Sequence, residues 1–133
     1  MAALPSGVPS TLYALATGRD PLEATKAAGA LLLRHETRTL PLVAAAAPAH
    51  LALSLGWGVV LAAVLRRPTP LRGALAGLAI AALDLGVIGR RFPRIRALRP
   101  GPQVADHVAF GLVVGWVLAR RRARRSSVMM ERP

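Results

Sequence analysis

The chain has 133 residues, of which 53% are apolar and only 4% aromatic, with a mean hydropathy of +0.43 and a formal net charge of +12. That length suits one domain and is too short for two of ordinary size. A water-soluble domain would carry about a quarter charged residues and more aromatic bulk for its core, whereas here Ala, Leu, Gly and Val stand in uncharged blocks. The absence of cysteine excludes disulfides, thiolate metal sites and cysteine nucleophiles, and leaves the compartment open.

The basic residues are almost all arginine, Lys26 being the one lysine, a bias that also fits a GC-rich genome. They lie between and after the apolar blocks, where lipid headgroups and topology selection favour them. Nucleic acid is not an expected partner, because the basic clusters lack the interleaved aromatics on which bases stack. The bilayer and its anionic headgroups are.

In chain order, "MAALPSGVPSTLYALATG" is weakly apolar and shorter than the ~20 residues a spanning helix needs. It reads as a partial span or interfacial helix over 1–18. Its start has no basic n-region and is broken by Pro5 and Pro9, unlike a secretory signal peptide. Residues 21–34 predict an amphipathic interfacial helix, with Asp20 as N-cap, Pro21 at the first helical position and Glu23 at the third. Residues 41–65, "PLVAAAAPAHLALSLGWGVVLAAVL", contain no formal charge and predict a span about 37 Å long. Pro48 removes one ladder hydrogen bond there, so a kink over 44–48 is expected. After the turn "RRPTP", residues 71–89 predict a second span, interrupted only by Arg72 and Asp84. A basic connector with three prolines, 90–102, leads to a third span over 103–119, which "RRRARR" is expected to end; 126–133 reads as a disordered tail. The fold class is therefore all-α: a small helical membrane bundle with three spans, a partial first span and an interfacial helix, forming one domain over 1–125.

Alternating crossings place the 66–72 turn and the C-terminal tail on one side and the 19–38 and 90–99 connectors on the other. Lys and Arg are equally numerous on the two sides, so the positive-inside rule returns a tie. The crowding of Arg120, Arg121 and Arg122 at the end of the last span favours a cytoplasmic C-terminus.

An ionisable group inside a span costs about 2.5–3.5 kcal/mol on insertion scales and is a functional candidate by default. Four such groups are present: His50, Asp84, Asp106 and His107. Alternating crossings bring all four toward one membrane face. Gly73, Gly77 and Asp84 share one helix face, and His107, Gly111 and Gly115 share another. Both glycine pairs have the small-x-x-x-small spacing that lets backbones approach closely. Antiparallel packing through these faces would set Asp84 opposite His107.

The structural reading, which is favoured, is that Asp84 is a buried carboxylate held by His107 or a connector arginine, while Asp106 complements the positive end of its own helix. The functional alternative is a polar cavity of His50, Asp84 and His107, rimmed by Arg90, Arg91, Arg94 and Arg96, that takes an anionic headgroup or relays a proton. Haem ligation by His50 and His107 is a third reading with a weak signal. No metal or other cofactor is expected. Ser54 shares the face of His50 without an elbow motif around it, so hydrolase chemistry is set aside. Trp116 reads as an interfacial anchor and Trp57 as mid-membrane packing.

The stretches "PSTLYALATGRDPLEATKAAGALLL", "PAHLALSLGWGVVLA" and "LDLGVIGRRFPRIRALRPGPQVADHVAFG" together resemble a family of small, uncharacterised multi-pass integral membrane proteins from GC-rich bacteria. The resemblance covers residues 9 to about 122, implies a membrane protein, and supplies no catalytic residues. It also implies a fuller Gly/Ala-rich span ahead of "PSTLYALATG", where this chain has "MAALPSGV", so the expectation is a start that falls late. The functional expectation is a non-catalytic accessory or self-associating component. The alternative is a minimal transporter or lipid- or anion-handling unit built on Asp84 and His107.

Overall fold

Backbone lying in hydrocarbon must satisfy every N–H and C=O within its own segment, which leaves helices as the means for a chain of this kind to cross. The computed structural model describes residues 7–130, and these are helical with no strand among them. The elements are α1 (Val8–Ala16), α2 (Glu23–Gly29), α3 (Thr39–Val64), α4 (Pro70–Leu83), α5 (Pro93–Arg96) and α6 (Pro100–Met130). α4 continues through a π-helical turn, Asp84–Ile88, and a 3-10 turn, Gly89–Arg91. Three segments are long and apolar enough to cross a membrane: Thr39–Val64, Pro70–Arg91 and Pro100–Ser127.

The helix starts follow local chemistry. Thr69 caps α4 by accepting the Arg72 N–H at 3.2 Å, and Pro70 takes the first helical position, where a missing donor is harmless. Pro100 and Pro102 occupy the first turn of α6 for the same reason, so this helix starts three residues before the expected 103. α1 ends on Gly18, whose φ of 66° is left-handed; Arg19 N–H then closes on the Ala14 carbonyl at 2.8 Å.

α4 and α6 form the tightest pair. A Cβ added at Gly73 would collide with the Gly111 carbonyl oxygen, and one at Gly77 with that of His107. The reverse holds too: Gly111 abuts Gly73, and Gly115 abuts Gly73 and the Thr69 carbonyl. These glycines are the reason the two backbones can touch. Beside this seam Leu61 of α3, Ile80 of α4 and Phe110 of α6 form a buried cluster, with Trp57, Leu65, Ala76 and Val114 packed against it. α2 lies on the first half of α3, where Gly29 fits under the Leu42 carbonyl and Leu42 is fully buried.

Several expectations need correction. The interfacial helix is shorter than 21–34: Asp20 does organise its start, accepting the Leu22 N–H at 2.8 Å, but regular helix covers only Glu23–Gly29. Beyond Gly29 the chain tightens into turns over Leu42. α6 does not stop at "RRRARR" and the tail is not irregular from 126: the helix runs to Met130. Arginine is a good helix former, and the Ser126 and Ser127 hydroxyls bond back to the carbonyls of Arg122 and Ala123. Residues 131–133 of that expected tail, and residues 1–6 of the expected partial span, lie outside the described residues. The nine residues of α1 measure about 14 Å, under half of a ~30 Å hydrocarbon core. α3 is continuous through Pro48.

Candidate polar site within the bundle

Asp84 stands where α4 passes into its π-helical turn, and its Oδ2 is the meeting point of three helices. Trp57 of α3 donates its indole Nε1–H to that oxygen at 3.1 Å. His107 of α6 brings Nε2 to the same oxygen at 3.4 Å. The other imidazole nitrogen, Nδ1, lies 2.7 Å from the Gln103 carbonyl oxygen one turn earlier in α6. Because a carbonyl can only accept, Nδ1 carries a hydrogen, and this sets the tautomer. Nε2 is thereby turned toward Asp84 Oδ2, so each of the two polar groups has the other as a partner inside the bundle. The Asp84 and His107 side chains are 19% and 22% exposed, so the pair is largely enclosed by the helices.

The glycine seam explains why the two residues meet. Gly77 rests on the His107 backbone, so the His107 side chain, leaning toward the start of α6, climbs to the level of Asp84, which leans toward the start of α4. Sequence reasoning brought these two together and missed the third partner. The available signal was chemical: an indole N–H at mid-span needs an acceptor, and a carboxylate has room for a second donor beside His107.

Asp106 does something other than complement its own helix. α6 begins at Pro100, so Asp106 lies beyond the first turn, and no acidic residue occupies that turn. Its Oδ1 instead accepts the Ser10 N–H at 2.9 Å. Ser10 is in the first turn of α1, whose N–H groups have no intrahelical acceptor and whose N-cap Gly7 offers no side chain. Asp106 therefore caps a neighbouring helix, and Ser10 is buried beneath the contact. His50, on α3, is close enough to Asp106 to interact electrostatically with it.

Of the basic connector expected to rim the site, no arginine hydrogen-bonds or ion-pairs with Asp84 among the described residues. Arg94 turns away and donates from Nη2 to the Glu36 carbonyl at 3.3 Å. Arg34 reaches the Arg91 carbonyl at 3.3 Å and stacks over Phe92, tying the α2–α3 loop to the end of α4. The side chains of Arg90, Arg91 and Arg96 are exposed. On the opposite side Arg120 stacks over Trp116 with its guanidinium 4.1 Å from the ring centre, and Arg121 and Arg122 are exposed beyond it. No group of three or more metal-ligating side chains occurs among the described residues.

The volume that is open lies elsewhere. A cleft of about 460 Å³ is lined by Arg19, Asp20, Glu23, Lys26, Arg94 and Ala97. Within it Arg19 grips both oxygens of Glu23, from 3.1 Å, which raises the guanidinium's own pKa. Lys26 pairs with Asp20 and, with the Leu22 N–H, holds that carboxyl below its usual range. Just outside, Glu36 accepts from the Arg38 side chain and from the N–H groups of Arg38 and Thr37, which lowers its pKa to about 2.

No protein-family model matches the chain, and no curated protein or solved structure matches it.

Proposed function

We propose that the protein is a multi-pass integral membrane protein without intrinsic catalysis, acting as an accessory or self-associating component through its α-helical bundle. The single observation that carries this reading is the closure of the α4–α6 hairpin. Gly73, Gly77, Gly111 and Gly115 are consumed by backbone contact, and Asp84 and His107 bond to each other, to Trp57 and to the Gln103 carbonyl. Polar groups satisfied in this way fix the register of helices, a role that buried polar side chains serve in other bundles. Asp84 does not line the cleft of about 460 Å³ between α2 and α5. The resemblance to small multi-pass proteins of GC-rich bacteria belongs to the same reading, as does a cell-membrane location with the Arg120–Arg122 end of α6 in the cytoplasm. Labelling of single cysteines introduced at 68 and 126, in a chain that has none of its own, reports that orientation directly.

The reading is tested by a double-mutant cycle in detergent with Asp84→Ala and His107→Ala. Each single change is expected to destabilise the fold by about 1–2 kcal/mol, with the double change costing clearly less than the sum. Strictly additive losses would remove the pairing. A pull-down in mild detergent then asks for the partner, and recovery of the chain with itself or with another membrane protein is the expected result.

A further inference from the structure

We propose that the cleft between α2 and α5 binds a phosphate group, as carried by an anionic lipid headgroup, with Arg94 as its principal contact. The cleft walls come from residues 19–26 and 93–97, which lie outside the three candidate spans. α5 sits between the end of the α4 segment at Arg91 and the start of α6 at Pro100, so with those spans in a bilayer the cleft opens at headgroup depth. Lipid phosphate is abundant there, and its approach to the cleft is short.

The charges inside the cleft are unequal. Both carboxylates already have cations: Glu23 is held by two nitrogens of Arg19, and Asp20 by Lys26. Among the described residues Arg94 has no carboxylate partner. Its hydrogen-bond partner is the neutral Glu36 carbonyl, reached from Nη2 alone, which leaves the rest of its fork of donors for another acceptor. Guanidinium donors match phosphate oxygens in pairs, which gives this contact geometry as well as charge. The tie to Glu36 holds the Arg94 side chain in place and so reduces the entropy lost on binding. The two internal ion pairs have a second effect: with their charges cancelled they add shape without repelling an anion. This inference requires only that the spans lie in a membrane, and stands apart from the role of the Asp84–His107 pair.

Native mass spectrometry of the full chain, released from vesicles containing phosphatidylglycerol and phosphatidylcholine, measures it. The expected result is preferential retention of phosphatidylglycerol, reduced about tenfold by Arg94→Gln, the loss of one charge-assisted contact. Arg124→Gln, on the exposed far end of α6, is expected to reduce retention far less than Arg94→Gln. Ala97→Glu puts a carboxylate into the cleft without removing Arg94 and is expected to reduce retention as strongly, which guards against a folding defect of the Arg94 variant. Competition with inorganic phosphate separates the sources: displacement by millimolar phosphate assigns the site to free phosphate, and its failure assigns the site to lipid. Equal retention of the two lipids, or equal losses from Arg94→Gln and Arg124→Gln, would overturn the proposal.

Discussion

The α4–α6 hairpin and helix α3 both carry glycines in apolar helix, and they use them in opposite ways. At Gly73, Gly77, Gly111 and Gly115 another backbone occupies the space where a side chain would go. At Gly56 and Gly58 of α3 nothing lies within 4 Å of an added Cβ. α3 holds to the hairpin through side chains instead, with Leu61 in the shared cluster and Trp57 bonded to Asp84. Much of its remaining surface, including Leu51, Leu55 and Val59, is exposed. Glycine spacing alone therefore does not identify a packed face. What distinguishes the hairpin is that small residues on one helix meet small residues on the other.

The largest effect that separates the two regions is expected from leucine. Gly77→Leu should open the hairpin and cost more than about 3 kcal/mol, at the upper end of overpacking penalties. Gly56→Leu should stay within about 0.5 kcal/mol. Unfolding midpoints in detergent measure both, and a comparable loss at Gly56 would erase the contrast. At the N-terminal end, Asp106→Ala leaves the Ser10 N–H without its acceptor and should cost about 1–2 kcal/mol, the range of a lost cap. Its signature is faster hydrogen exchange confined to α1, with the hairpin amides unchanged. Trp57→Phe keeps the ring and removes the donor to Asp84, loosening α3 by about 0.6–1.7 kcal/mol, as membrane hydrogen bonds do. In an Asp84→Ala background the same change should have no further effect.

The smallest effect lies at the entry to α3 and is read in pH. Glu36 has its folded pKa lowered to about 2 from an ordinary 4.5, chiefly by the Arg38 side chain. Its contribution to the turn is thus complete above about 4.5 and is lost as pH falls through about 2. Exchange protection of the Thr37 and Arg38 amides should persist at pH 4, and its loss there would contradict the ion pair.

Most of the architecture was legible in the sequence because span length and uncharged composition are properties of single segments. The first two spans were placed within about two residues at each end and the third within three at its start, though its end was set eight residues short, and the glycine spacing brought Asp84 to His107. What was hidden depended on contact between distant segments. Trp57 carries no marker that distinguishes a donor from a filler until Asp84 is set beside it. Asp106 reads as a helix-start acid while the helix is thought to begin at 103, and its true acceptor role requires α1 to be docked against α6. The length of α2 was overestimated because a run of Ala and Leu favours helix locally, while Gly29 beneath Leu42 is a tertiary constraint.

The Ser10–Asp106 bond joins positions 96 residues apart, and this imposes an order on biosynthesis. Chains are made from the N-terminus at roughly 5–20 residues per second, so α1 leaves the ribosome several seconds before its acceptor exists. Throughout that interval the first turn of α1 can be served only by water or headgroups. α1 is therefore the earliest described helix to be synthesised, and its bond to Asp106 forms only after α6 has been made.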